Sequence, residues 1–154
     1  MNEQDMIEIL LVEDNPNDVE LALYAFAQHK FTNPIVIVRD GEEALEYLFC
    51  TGKYEGRTDQ RNPCVVLLDL KLPKVDGLEV LKIIKTDERT RMIPVIILTS
   101  SNEETDLVKS YHLGVNSYIL KPVDFDQFVE AMRLLGNYWL LLNHPPKLSQ
   151  DGNV

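Results

Sequence analysis

Apolar residues along this chain come in short unbroken runs, each followed by a longer stretch with helical spacing. The runs are Ile7 to Val12, Ile35 to Val38, Val65 to Leu68, Val95 to Leu98 and Tyr118 to Leu120. Runs this short and this rich in Val, Ile and Leu predict strands buried on both faces, the habit of a parallel sheet. The intervening stretches open with helix-start signals. Asn15-Pro16-Asn17-Asp18 offers a cap, a proline at the first helical position and an acid three residues past the cap, with Asp18 read as part of that cap. Leu21, Ala22, Ala25 and Phe26 then mark one face as far as about His29. Asp40 and Glu43 precede Ala44, Leu45 and Leu48, and Asp76 and Glu79 frame a helix carrying Leu78, Leu81 and Ile84-Lys85. Asn102 caps a helix with Leu107, Val108 and Tyr111, while Asp124 and Gln127 open the last, with Phe125, Phe128, Val129, Met132 and Leu135 inward. Five β-α repeats predict a doubly wound α/β sandwich.

Gly and Pro gather at Thr51 to Pro63, Leu72 to Gly77 and His144 to Gly152. The first is the only long loop, and its composition predicts a mobile surface excursion. Residues 1–143 are expected to form one domain and 144–154 a flexible tail; 154 residues suit a single core. Fifteen basic against 25 acidic residues leave a net charge of −10, the wrong sign for binding nucleic acid. Cys50 and Cys64 lack metal-ligand spacing and are read as reduced thiols. The acidic start MNEQDMIEI is unlike a signal peptide, and no apolar run approaches the roughly 20 residues that span a bilayer. The expectation is a soluble cytoplasmic protein that engages no membrane.

Four of the five runs end on residues able to handle a phosphoryl group: Glu13-Asp14, Asp69, Thr99 and Lys121-Pro122. Parallel strands end on one edge, where ligands bind in open α/β sheets, so these side chains should converge. Three close carboxylates are unfavourable unless protons or a cation neutralise them. Mg²⁺ is the natural occupant, since it accepts a few carboxylates, keeps waters and completes its octahedron with a phosphate oxygen; Mn²⁺ can stand in for it. Asp69 could then accept a phosphoryl group, Lys121 neutralise one of its oxygens as a point charge, and Thr99 hydrogen-bond another. Each residue alone has a bland explanation as loop acid, turn or surface charge. Five such coincidences at strand ends are too many. His29, His112 and His144 have no partners at ligand spacing and are read as structural, and Asp87 and Glu88 as solvated loop acids.

The stretches LLVEDNPND, VVLLDLKLPKVDG, PVIILTSS and SYILKP resemble the receiver domain of two-component response regulators over essentially the whole chain. The resemblance implies a flavodoxin-like (βα)5 fold with strand order 2-1-3-4-5. It implies that Asp69 is the phosphoacceptor, that Asp14 ligates Mg²⁺ directly and Glu13 through water, and that the Lys71 carbonyl adds a ligand. Thr99 and Tyr118 match the switch pair, Lys121 matches the invariant lysine, and the Lys121-Pro122 bond is expected to be cis. A finer likeness, carried by RDGEEALEYL, GKYEGRTDQRNP, DLKLPKVDGLEVLKIIK and YWLLLNHPP, is to stand-alone regulators paired with phytochrome kinases. The implied partners are a sensor histidine kinase, in the finer reading a phytochrome, and an unnamed downstream protein. Receivers commonly pair through the fourth and fifth helices and the fifth strand. Here Leu134, Tyr138, Trp139, Leu140, Leu141 and Leu142 of the last helix offer more apolar surface than one core stripe needs, so a homodimer is expected, with Tyr111, Tyr118, Leu134, Tyr138, Trp139 and Leu141 on the pairing surface.

Three rivals share the fold. A Mg²⁺-dependent phosphatase with an aspartyl nucleophile wants a second Asp two residues on, where this chain has Lys71. A nucleotide or flavin binder wants a phosphate cradle after the first strand, where this chain has Glu13-Asp14-Asn15-Pro16. A scaffold that works without phosphorylation would have no use for the intact chemical positions. The favoured reading is a regulator that promotes its own phosphorylation and slow dephosphorylation, rather than an enzyme. By the resemblance to receivers, the positions of Lys71 and Ser101 flank the path of attacking water, which leaves the lifetime of the phosphoryl group open.

Overall fold

A computed structural model describes residues 8–28, 33–57, 62–100, 109, 111–115, 117–121 and 124–134. Five strands form one sheet: β1 (Ile9–Val12), β2 (Ile35–Val38), β3 (Val65–Leu68), β4 (Val95–Thr99) and β5 (Ser117–Leu120). All neighbours are parallel and the order is β2-β1-β3-β4-β5, as the resemblance implies. The apolar runs locate the strands to within a residue or so at each described end. Every residue of β1 and β3 is buried, which explains why neither shows polar alternation.

Successive side chains point to opposite faces and divide the core in two. Leu10, Val12, Val66, Leu68, Val95 and Ile97 face one layer, joined by Ala44 and Leu48 of α2 (Gly41–Phe49) and Val80, Leu81 and Ile84 of α3 (Gly77–Thr86). Ile9, Leu11, Val65, Leu67, Ile96 and Leu98 face the other, with Ala22 and Phe26 of α1 (Pro16–Gln28) and Phe128 and Ala131 of the terminal helix (Phe125–Leu134). Phe26 and Phe128 meet edge to face at 5.1 Å and lock those two helices together.

The helix starts follow the capping signals. Asn15 Oδ1 accepts the Asn17 amide at 2.9 Å, Asp40 Oδ1 the Glu43 amide at 2.7 Å, and Asp76 Oδ2 the Leu78 amide at 3.2 Å. Asp124 Oδ1 accepts the Asp126 amide at 2.8 Å.

Four expectations need correction. Leu21 is 53 % exposed, because α1 buries the i, i+3, i+7 stripe Val19, Ala22 and Phe26 and Leu21 falls about 100° off it. The described part of the long loop is docked rather than a free excursion. Its 3₁₀ turn, Gly52–Tyr54, sends the Tyr54 hydroxyl to Glu43 Oε2 at 2.6 Å. Arg57 lies 4.0 Å over the Tyr47 ring and donates to the Tyr47 carbonyl at 3.0 Å. Asp87 is no plain solvated acid, since it accepts the Arg89 amide, Nε and Nη2 at 2.9, 3.0 and 2.9 Å. Asp18, finally, is not spent on a cap, as its partner below makes clear.

His29, His144, Ser101, residues 102–108 and 110 of the helix predicted from Asn102, Leu135 and the 144–154 tail lie outside the described residues. Cys50 and Cys64 are free thiols. No helix among the described residues is long and apolar enough to cross a membrane.

Candidate functional site

The sheet register brings the acids together. Val12 stands opposite Leu68, so the residues that follow, Glu13 and Asp69, leave adjacent strands side by side. The ladder runs one residue past both strands: the Glu13 amide donates to the Val38 carbonyl at 3.0 Å and the Asp69 amide to the Val12 carbonyl at 3.1 Å. Both backbones are therefore fixed before either carboxylate meets anything. Glu13 is 2 % exposed and Asp69 5 %, whereas Asp14 opens to solvent. One carboxylate oxygen from each of the three lies within 4.8 Å of the others.

Lys121, just past β5, reaches into this group. Its Nζ lies 2.6 Å from Glu13 Oε1, 3.1 Å from Asp69 Oδ2 and 2.8 Å from Asp18 Oδ2. The other Glu13 oxygen accepts the Asn15 amide at 3.1 Å, and Asp69 Oδ1 accepts the Lys71 amide at 3.3 Å, which draws the Lys71 backbone against the acid.

Burial pushes the Glu13 carboxyl up to about 7. Hydrogen bonds from Lys121 and from the Asn15 amide pull it back only partly, and the nearby Asp69 charge adds to the rise. Burial alone would lower Lys121, but hydrogen bonds to Asp18 and Glu13 and the charge of Asp69 outweigh it and hold the ammonium protonated. The same ion pair thus fixes the charge of the lysine while leaving the glutamate short of compensation. The glutamate shift is the informative one, because a single ammonium cannot neutralise three acids.

The donor set fits a hard divalent cation. It is made of oxygens only, it gathers three carboxylates, and its most exposed member gives access from solvent. Glu13, Asp14 and Asp69 would hold the ion.

Of the other residues singled out in the sequence, Thr99 closes β4 opposite Leu120. The Tyr118 ring is partly buried against the α2–α3 layer of the core. Tyr111 is 52 % exposed and Leu134 75 % exposed. The Thr99 side chain, Pro122 with its cis bond, Tyr138, Trp139 and Leu141 lie outside the described residues. Asp18 is the site residue that sequence reasoning missed. Its position in the first turn of α1 suits a cap so well that no local signal set it apart from one.

Residues 9–133 match the family described as the response regulator receiver domain. Probable methanogenesis regulatory protein FilR2 of Methanothrix harundinacea is 45 % identical over 143 residues, 93 % of this chain and 90 % of that one. The solved structure of the bacteriophytochrome response regulator AtBRR superposes with a TM-score of 0.82 at 56 % identity, covering 91 % of this chain and 99 % of its own. The Mn²⁺-bound form of response regulator Rcp1, a protein of Synechocystis, gives 0.72 at 36 % identity, over 91 % and 99 % of the two chains. The strand order, the acid edge and these likenesses agree: the chain belongs to the response regulator receiver domain family.

Proposed function

We propose that the chain accepts a phosphoryl group on Asp69 from the phosphohistidine of a partner kinase and signals by protein contact. The observation that carries this reading is the Lys121 ammonium, shared between Asp69 and Glu13 beside a group of carboxylates that fits a cation. Asp69 attacks phosphorus in line as the P–N bond to the kinase imidazole breaks, and a new P–O bond leaves the carboxylate as an acyl phosphate. A bound Mg²⁺ or Mn²⁺ supplies positive charge against the phosphoryl oxygens. Lys121 grips one of those oxygens and Thr99 turns its hydroxyl to another. The catalysis is positioning and electrostatics, which makes the chain a phosphoacceptor rather than an enzyme with turnover.

Tyr118 then reports the change to the face around β5. That face carries a groove of ≈ 490 Å³ between β5 and the terminal helix, lined by Tyr118, Leu120, Ala131 and Leu134 among others. Leu120 and Leu134 are 45 % and 75 % exposed, which supports pairing of two copies there. Residues 1–143 form the receiver in this account, acting in the cytoplasm. The likeness to bacteriophytochrome regulators supports a phytochrome kinase as the donor.

Acetyl phosphate with Mg²⁺ should give the wild-type protein an acid-labile label that chelator prevents. Asp69→Asn should remove it. Labelling of Asp69→Asn at the normal rate would end the assignment.

A further inference from the structure

An ammonium has three N–H donors, and those of Lys121 go to three different carboxylates. Two of the three, Glu13 and Asp69, are also the residues that fit a cation. The third, Asp18, is not among them. When a cation and a phosphoryl group draw on Glu13 and Asp69, Asp18 is the acceptor left to Lys121 alone.

We propose that Asp18 is a positioning residue for Lys121, its carboxylate holding the ammonium from the α1 side so that it stays aimed at Asp69. This rests on the receiver reading above. A lysine carries four flexible methylenes, and holding its head at one point costs it rotamer freedom. The Lys121 side chain is 12 % exposed, so a poorly paired ammonium there also loses its water.

Asp18 is well fixed to do this. It sits in the first turn of α1, with its own amide 3.4 Å from the Asn15 cap oxygen and Val19 and Ala22 buried immediately after it. Beneath the pair, among Leu11, Leu21, Ala22 and Leu98, is a cavity of only ≈ 10 Å³. That is room for one water at most. The tip of Lys121 lies between three acids, and Asp18 closes the side facing α1.

The alternative is an acid that merely suits the positive end of a helix. Acetyl phosphate labelling at saturating Mg²⁺ separates the two. Asp18→Ala should label about three- to tenfold more slowly, the loss expected of one charge-assisted hydrogen bond shared with two others, and Asp18→Glu should recover most of it. Adding Asp18→Ala to Lys121→Met should slow labelling no further. A wild-type rate in Asp18→Ala, or the same slowing in the Lys121→Met background, would overturn the proposal.

Where Lys121→Met labels too slowly to read, the ¹H–¹⁵N signal of the Lys121 ammonium in metal-free protein decides. Hydrogen exchange with water should be slow enough to show that signal in wild type and too fast in Asp18→Ala. An unchanged signal in Asp18→Ala counts against the proposal. Failure of the wild type to label would sink the receiver reading instead, and would leave the ammonium signal to be read on its own.

Discussion

Glu13 is almost fully buried, and a shared ammonium and the Asn15 amide compensate it only in part. Its carboxyl stands near 7 in the folded chain against 4.5 for the free group, so between those values the native state binds more protons than the unfolded one. Stability without divalent metal should therefore fall as pH rises from about 4.5 to about 7, by on the order of 1–3 kcal/mol, and level off above. Urea unfolding in chelator measures this, and Glu13→Gln should flatten the slope. A wild-type stability that rises across that window would contradict the account.

Burial likewise pushes the Cys64 thiol up to about 12, so at pH 8 it holds little thiolate. Iodoacetamide should modify Cys50 first and Cys64 at least about tenfold more slowly, which peptide mapping would resolve. At this scale the convergence of Glu13, Asp14, Asp69 and Lys121 was legible from strand ends alone. The role of Asp18 was not, because its partner lies 103 residues away and a local reading had already given it a task.

Among the elements, the start of α3 is packed closely against the Asp69 backbone. A Cβ on Gly77 would lie 2.3 Å from the Asp69 carbonyl oxygen and 2.5 Å from Leu70 Cα, both backbone atoms that cannot swing aside. Gly77→Ala should thus destabilise by about 1–3 kcal/mol despite the better helix propensity of alanine, and should slow labelling of Asp69 as well. A thermal melt and a labelling assay on the same sample test both. Strands were legible because a parallel sheet buries both faces and writes itself as unbroken apolar runs. Helix starts were legible because Asn15, Asp40 and Asp76 cap them. The docked loop was not. Tyr54 and Arg57 look like ordinary loop residues until α2 presents Glu43 and the Tyr47 ring and carbonyl to receive them. The exposure of Leu21 was missed for a similar reason, since a stripe one position off still looks apolar.

The whole molecule gathers charge at one edge of an apolar sheet and leaves Leu120 and Leu134 exposed elsewhere. Pairing through the groove beside β5 predicts that Leu134→Asp shifts the protein toward monomer in sedimentation while Asp69 labels at the normal rate. An unchanged oligomeric state would remove that face from the account. The central claim concerns Asp69 itself, and its covalent product can be read directly. After brief treatment with acetyl phosphate and Mg²⁺, borohydride should reduce the acyl phosphate to homoserine, and mass spectrometry should find that homoserine at position 69. Homoserine at another aspartate, or an acid-labile label with residue 69 unchanged, would contradict it.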